Sequence, residues 1–295
     1  IQYYGDVRNF SPDILKGVDA VVSLAAISND PIGNQFEAQT MDINFQSTLK
    51  IAKAAKAAGV RKFIFASSCS VYGAAEDAPR TESSTVNPLT AYAKSKIYSE
   101  EALGEIASDN FQVTCLRFAT ACGMSERLRL DLVLNDFVAG ALTSGEITIL
   151  SDGTPWRPLI NVADMARAIR WAYERENTEG GNYLVMNTGS NEWNYQVKDL
   201  ALEIQKMMPE IKVSINQNAE PDKRSYRVNF DLFKSLAPFH QPQFDLQKSI
   251  EGLIKGLEAI HFSDANFRQS KLMRLNVINT LLQKGEIDKQ LSLVK

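Results

Sequence analysis

Histidine is scarce in this chain. Only His240 and His261 occur, both late, so neither a Ser-His-Asp triad nor a His-rich metal site is expected, and no metal is predicted. The three cysteines, Cys69, Cys115 and Cys122, lack close paired spacing. That excludes a disulfide framework and a zinc knuckle and suits a reducing cytoplasm. Long apolar runs are missing too. The stretch from Val18 to Ile27 is interrupted well short of the ~20 residues a membrane helix requires. Charge of one sign never accumulates: 32 Lys and Arg stand against 35 Asp and Glu, a net charge of −3, so no nucleic-acid partner is expected. No basic-then-apolar signal segment follows Ile1. Nor do the 16 glycines anywhere fall into Gly-x-Gly or Gly-x-x-Gly-x-x-Gly spacing, the turn that brings a pyrophosphate against a helix N-terminus.

With 44% hydrophobic and 23% charged residues, the composition is that of a globular protein with a sizeable core. Val18 to Ala26 and Lys62 to Ala66 are short apolar runs suited to a buried parallel sheet. Between them, from about Phe36 to Ala58, Met41, Phe45, Leu49, Ala52 and Ala55 recur at helical intervals, and Gly59 ends the pattern. A second helix is predicted from about Leu89 to Ala107 and a strand from Phe111 to Phe118. Strands alternating with helices imply a doubly wound α/β sheet whose ligands sit beyond the carboxyl ends of the strands. Further on, helices are predicted around 131–144, 161–174, 196–207 and 246–260, strands at 147–150, 183–187 and 212–215, and a helical tail from about Asp264. The expected division is a sheet domain of residues 1–122 with 156–190 returning, and a smaller region of 123–155 and 191–295.

Two segments carry chemistry. Ser67-Ser68-Cys69-Ser70-Val71-Tyr72-Gly73 ends an apolar run, and Tyr92-Ala93-Lys94-Ser95-Lys96 lies in a helical pattern. Four residues apart on a helix, Tyr92 and Lys96 share a face. A nearby ammonium favours the phenolate and lowers the phenol's pKa from about 10, which makes Tyr92 a credible proton carrier. Ser68, one crossover upstream, can reach the same substrate oxygen. Each segment has a plainer reading as well: Tyr-x-x-x-Lys occurs on solvated helices, and paired serines cap helices and turns.

In order, Asp6-Val7, Leu24-Ala25-Ala26, Asn44, Ser67-Ser68 with Val71-Tyr72-Gly73, and Tyr92-x-x-x-Lys96 resemble the extended short-chain dehydrogenase/reductase family. Its NAD-dependent nucleotide-sugar epimerases and dehydratases are the most similar branch. The resemblance runs from about Gly5 to Asp231. It implies a Rossmann-like sheet with NAD rather than NADP as cofactor, a nucleotide-diphosphate sugar as substrate and a homodimer formed through the helices near 36–58 and 89–107. Asp6 and Val7 would lie against the adenine, and Leu24, Ala25 and Ala26 would line the dinucleotide. Asn44 would brace the strand ends, Ser68 and Tyr92 would carry the proton chemistry, and Lys96 would hold the nicotinamide ribose. Ala119 would meet the nicotinamide and Thr120 the sugar, although family members often have Asn and Pro where Thr120 and Ala121 stand. Asn135, Thr148, Ile149, Leu150, Arg157 and Arg224 resemble nucleotide-sugar contacts, the arginines suiting a pyrophosphate through their planar fork.

The family's dehydratases place acidic residues directly after the catalytic Ser or Thr. Here Cys69 and Ser70 follow Ser68. Epimerisation, at C4 through a transient keto sugar, is therefore expected over dehydration, with a reductase as sibling. The resemblance also implies a glycine-rich strand-helix-strand unit of at most about sixty residues ahead of Ile1. A chain that naturally lacked it would instead be a non-catalytic nucleotide-sugar binder.

Overall fold

The computed structural model describes residues 1–74, 78–219 and 225–294. After two short 3-10 turns the chain forms strand β1 (Ala20–Ser23), helices α1 (Asp30–Gln35) and α2 (Glu37–Met41), a π turn at Asp42–Gln46 and helix α3 (Ser47–Ala57). Next come β2 (Lys62–Ser68), α4 (Ala91–Ile106), β3 (Gln112–Phe118), β4 (Thr120–Cys122), α5 (Val133–Ser144) and β5 (Glu146–Ile149). Then follow β6 (Trp156–Asn161), α6 (Val162–Glu174), β7 (Tyr183–Thr188), β8 (Asn194–Gln196), α7 (Val197–Met207) and β9 (Lys212–Ile215). Helices α8 (Asp231–Leu236), α9 (Leu246–Ala259) and α10 (Arg274–Gln283) complete the order.

The main sheet runs β1-β2-β3-β7, every pair parallel. Alternate residues serve its two faces, as the pleat requires. Phe63, Phe65, Val113 and Cys115 pack with Ala52, Ala55 and Leu103 of α3 and α4. Ile64, Leu116 and Met186 pack with Ala168 and Trp171 of α6. Helices on both faces of a parallel sheet make the doubly wound α/β fold expected from the sequence. A separate core joins α5, α7 and α9 with β5 and β9, through residues such as Val138, Ile149, Leu200 and Leu253.

Three departures from the expectations have physical causes. The long helix beginning near Phe36 is interrupted by the π turn, where Asn44 is buried and its amide both accepts from the Ile27 N–H and donates to the Ile27 carbonyl. Such widened turns are frequent at functional sites. Strand β6 contains Pro158, which weakens any sequence signal for a strand, yet it is the middle strand of β4-β6-β8. The tail from Asp264 is helical only at Phe267–Gln269 and in α10, which Gly285 at φ +69° closes. Leu275, Ile278 and Leu282 of α10 pack on Ile27, Ile32 and Phe36, at the carboxyl side of β1.

Candidate active site

Strand β2 delivers Ser68 at its carboxyl end, and Thr90 starts α4 by accepting from the Ala93 N–H while donating to Asp30. That cap fixes the first turn, from which Tyr92 and Lys96 project on one face. Lys96 is 4% exposed. Its ammonium donates to the Ala66 carbonyl at 2.6 Å and lies 4.6 Å from the Phe65 ring centroid and 5.5 Å from that of Tyr92. Burial pulls its pKa down to about 8, with Glu100 opposing. Burial raises the Tyr92 phenol above its ordinary value, while a hydrogen bond with Ser68 and the charge of Arg129 draw it back. Ser68 and Arg129 are thus among the groups that restrain the phenol, while the Lys96 ammonium bonds to β2.

Immediately beside the trio lies a belt of satisfied polar groups. The register sets Ser67 opposite Arg117, and Arg117 opposite Asn187. Glu100, one turn beyond Lys96, accepts from Ser67 and takes a forked pair from Arg117, closest at 2.7 Å. Arg117 also donates to the Tyr72 hydroxyl, which donates to Asn187. Burial acts to lower the Arg117 pKa, but the bonds and charge of Glu100 and Tyr72 outweigh it and the net shift is upward. Cys69 donates to the Arg117 carbonyl and burial pushes its thiol far up, so it is no base.

The other predicted residues are distributed unevenly. Asn44 also donates to Ser95 on α4, tying the segment after β1 to the helix that carries Tyr92. Leu24 and Ala25 are exposed at the end of β1, and Ala26 is half-buried. The Asp6 carboxylate grips Arg8 and is held below its usual range, and Val7 begins the first 3-10 turn. Ala119 is buried beside Gly189, and Thr120 is half-buried on β4. Asn135 is fully engaged inside the fold, accepting from the Gly123 N–H and donating to the Arg129 carbonyl. Thr148 and Leu150 are exposed and Ile149 is in the second core. Arg157 donates to the Trp156 carbonyl and acts electrostatically on buried Tyr226, which in turn feels Tyr92. Arg224 lies outside the described residues.

Sequence reasoning missed two groups. Tyr226 is buried within electrostatic reach of both Arg157 and Tyr92. Arg129, from the loop after β4, donates to Ser28 and pairs with Asp131, which also accepts from Asn29. Neither shows a local motif, since each gains its role only from distant segments. A depression of about 660 Å³ lies at the opposite end of the sheet, lined by Asp19, Arg61, Lys62 and Gln112 among others. It is remote from Ser68 and lies where strands begin.

A doubly wound sheet presenting Ser68, Tyr92 and Lys96 at its carboxyl end defines a short-chain dehydrogenase/reductase architecture. Residues 3–189 match the NAD dependent epimerase/dehydratase family, and the chain belongs to that family. A UDP-glucose 4-epimerase of Streptomyces lividans is 28% identical over 208 residues, which cover 64% of this chain and 62% of that protein. An uncharacterized UDP-glucose epimerase of Bacillus subtilis is 29% identical over 160 residues, 53% of this chain and 49% of that one. The chain thus spans about half to two-thirds of the length of these relatives. Among solved structures, MoeE5 in complex with UDP-glucose and NAD superposes with a TM-score of 0.78 at 22% identity, covering 88% of this chain and 86% of that one. That likeness concerns the fold.

Proposed function

We propose that the protein is an NAD-dependent nucleotide-sugar epimerase acting at C4 of the sugar. The observation that carries this reading is the convergence of Ser68, at the carboxyl end of β2, with Tyr92 and Lys96 on one face of α4, the Lys96 ammonium 5.5 Å from the Tyr92 ring centroid. The residues fit a dinucleotide in two respects: Leu24 remains 58% exposed at the carboxyl end of β1, and Lys96 is buried without a carboxylate in salt-bridge range among the described residues. NAD, when bound, takes up and returns the hydride. Lys96 then orients its ribose, Asp6, Val7, Leu24, Ala25, Ala26 and Ala119 line it, and Asn44 holds the loop after β1 in place.

Tyr92 removes the proton from the sugar hydroxyl and Ser68 steadies that oxygen. Returned to the opposite face of the keto sugar, the hydride gives the epimer, and Tyr92 gives the proton back. Asn135, Thr148, Ile149, Leu150 and Arg224, within residues 123–155 and 191–295, are assigned to the nucleotide-sugar side together with Thr120 and Arg157 of the sheet domain. Dehydration is disfavoured because the position after Ser68 holds a buried thiol committed to the Arg117 carbonyl. A second copy is placed on the faces of α3 and α4, where Tyr98 is 45% exposed against the Phe45 ring.

Incubation with NAD and UDP-, GDP- or CDP-sugars tests the reading. Epimer without net consumption of cofactor is expected. Stoichiometric oxidation of NADH identifies a reductase, loss of water a dehydratase, and binding without turnover a non-catalytic binder.

A further inference from the structure

Two guanidinium groups from distant parts of the chain meet at one hydroxyl beside the reaction centre. Arg129 places Nη1 at 3.0 Å from the Ser28 Oγ and Nη2 at 3.2 Å from the Ser28 carbonyl. Arg274, the first residue of α10, places its Nη1 at 3.5 Å from the same Oγ. Arg129 lies close enough to Tyr92 to influence its phenol, so Ser28 marks the edge of the candidate active site.

The charges at this point do not balance. Asp131 neutralises Arg129 through a two-pronged pair. Arg274 and the neighbouring Arg127 form no ion pair among the described residues; partial burial and the charges of Arg129 and Arg127 disfavour the charged form of Arg274, only partly offset by Asp131. Asp30, the other carboxylate facing Tyr92, accepts the Thr90 hydroxyl. Like charges are held together here by the fold itself. Leu275, Ile278 and Leu282 seat α10 on Ile27, Ile32 and Phe36, and Gln39 and Arg8 bond to carbonyls of Lys289, Gln290 and Leu291.

We infer that Arg129 and Arg274, meeting at Ser28, form an oxyanion-binding subsite at the mouth of the active site, so that the C-terminal segment contributes directly to ligand recognition. This rests on the epimerase reading and extends it. The oxyanion is either a carboxylate on the sugar or a phosphate of the dinucleotide. A planar fork is suited to both, and two forks around one hydroxyl leave donors for a third partner.

The test is calorimetric titration of the full chain and its Arg274→Gln variant with UDP, UDP-glucose, UDP-glucuronic acid and NAD. Arg274 begins α10 and forms no ion pair among the described residues, so folding should persist, and an unchanged unfolding midpoint checks this. About a tenfold loss confined to UDP-glucuronic acid identifies the sugar carboxylate, whereas the same loss confined to NAD identifies the dinucleotide phosphate. Arg274→Lys should recover part of either loss. Equal affinities in both proteins, a uniform loss that includes UDP, or no binding by the unaltered protein overturns the subsite. Because binding is read without turnover, failure of the epimerase assay alone leaves this result standing.

Discussion

Helix α4 holds buried charge in two successive turns, and the turns differ in how that charge is satisfied. At Lys96 the ammonium faces β2 with one carbonyl and two aromatic rings for company, and burial holds its pKa at about 8. At Glu100 the carboxylate faces Arg117 on β3 through a forked pair, with Ser67 and Tyr72 completing the belt. A buried charge without its counter-charge costs stability, whereas in a paired and fully bonded one the partner's attraction offsets that cost, and losing either partner exposes it. The first turn is costly in the way reactive sites are, and the second is the brace that keeps Ser68 and Tyr92 in place.

The comparison can be broken from either side. If the Lys96 turn is the working one, Tyr92→Phe should lower turnover about 10²- to 10⁴-fold, with the unfolding midpoint nearly unchanged. Initial rates on a responsive nucleotide sugar check this. If the Glu100 turn is the brace, Glu100→Ala should cost roughly 3–5 kcal/mol by stranding Arg117, and denaturant unfolding reads that loss. Lys96→Met should act in the opposite sense. Removing a charge held from 10.5 down to about 8 should stabilise by roughly 3 kcal/mol while abolishing turnover. The smallest effect belongs to Thr90→Ala, which removes the cap and the Asp30 bond. About 1 kcal/mol is expected, visible as a modest fall in unfolding midpoint.

The same contrast explains what was legible in the sequence. Ser68, Tyr92 and Lys96 could be read because a strand end and one helix face carry their geometry in local spacing. The doubly wound α/β sheet likewise followed from alternating strands and helices, though not its strand order. Glu100 and Arg117 were not singled out, since a carboxylate on a helix and an arginine in a strand have no meaning until the β2-β3 register brings Ser67 opposite Arg117. Arg129 and Arg274 were further out of reach: only the packing of α10 on Ile27 and Ile32 carries Arg274 to Ser28. At Asn135 the motif position suggests a ligand contact, and the fold adds a task the sequence did not show, its amide securing the Gly123–Arg129 loop.

The central claim is that α4 bears a costly working charge one turn from a stabilising pair. Unfolding free energies of the unaltered and Lys96→Met proteins, measured from pH 7 to 10.5, test it most directly. The unfolded chain holds the Lys96 proton more tightly than the folded one, so its cost is fully present below pH 8 and is relieved as the pH rises toward 10.5. Lys96→Met should therefore be the more stable protein at pH 7, with the difference closing across that window. Greater stability of the unaltered protein at pH 7, or a difference that ignores pH, contradicts the account.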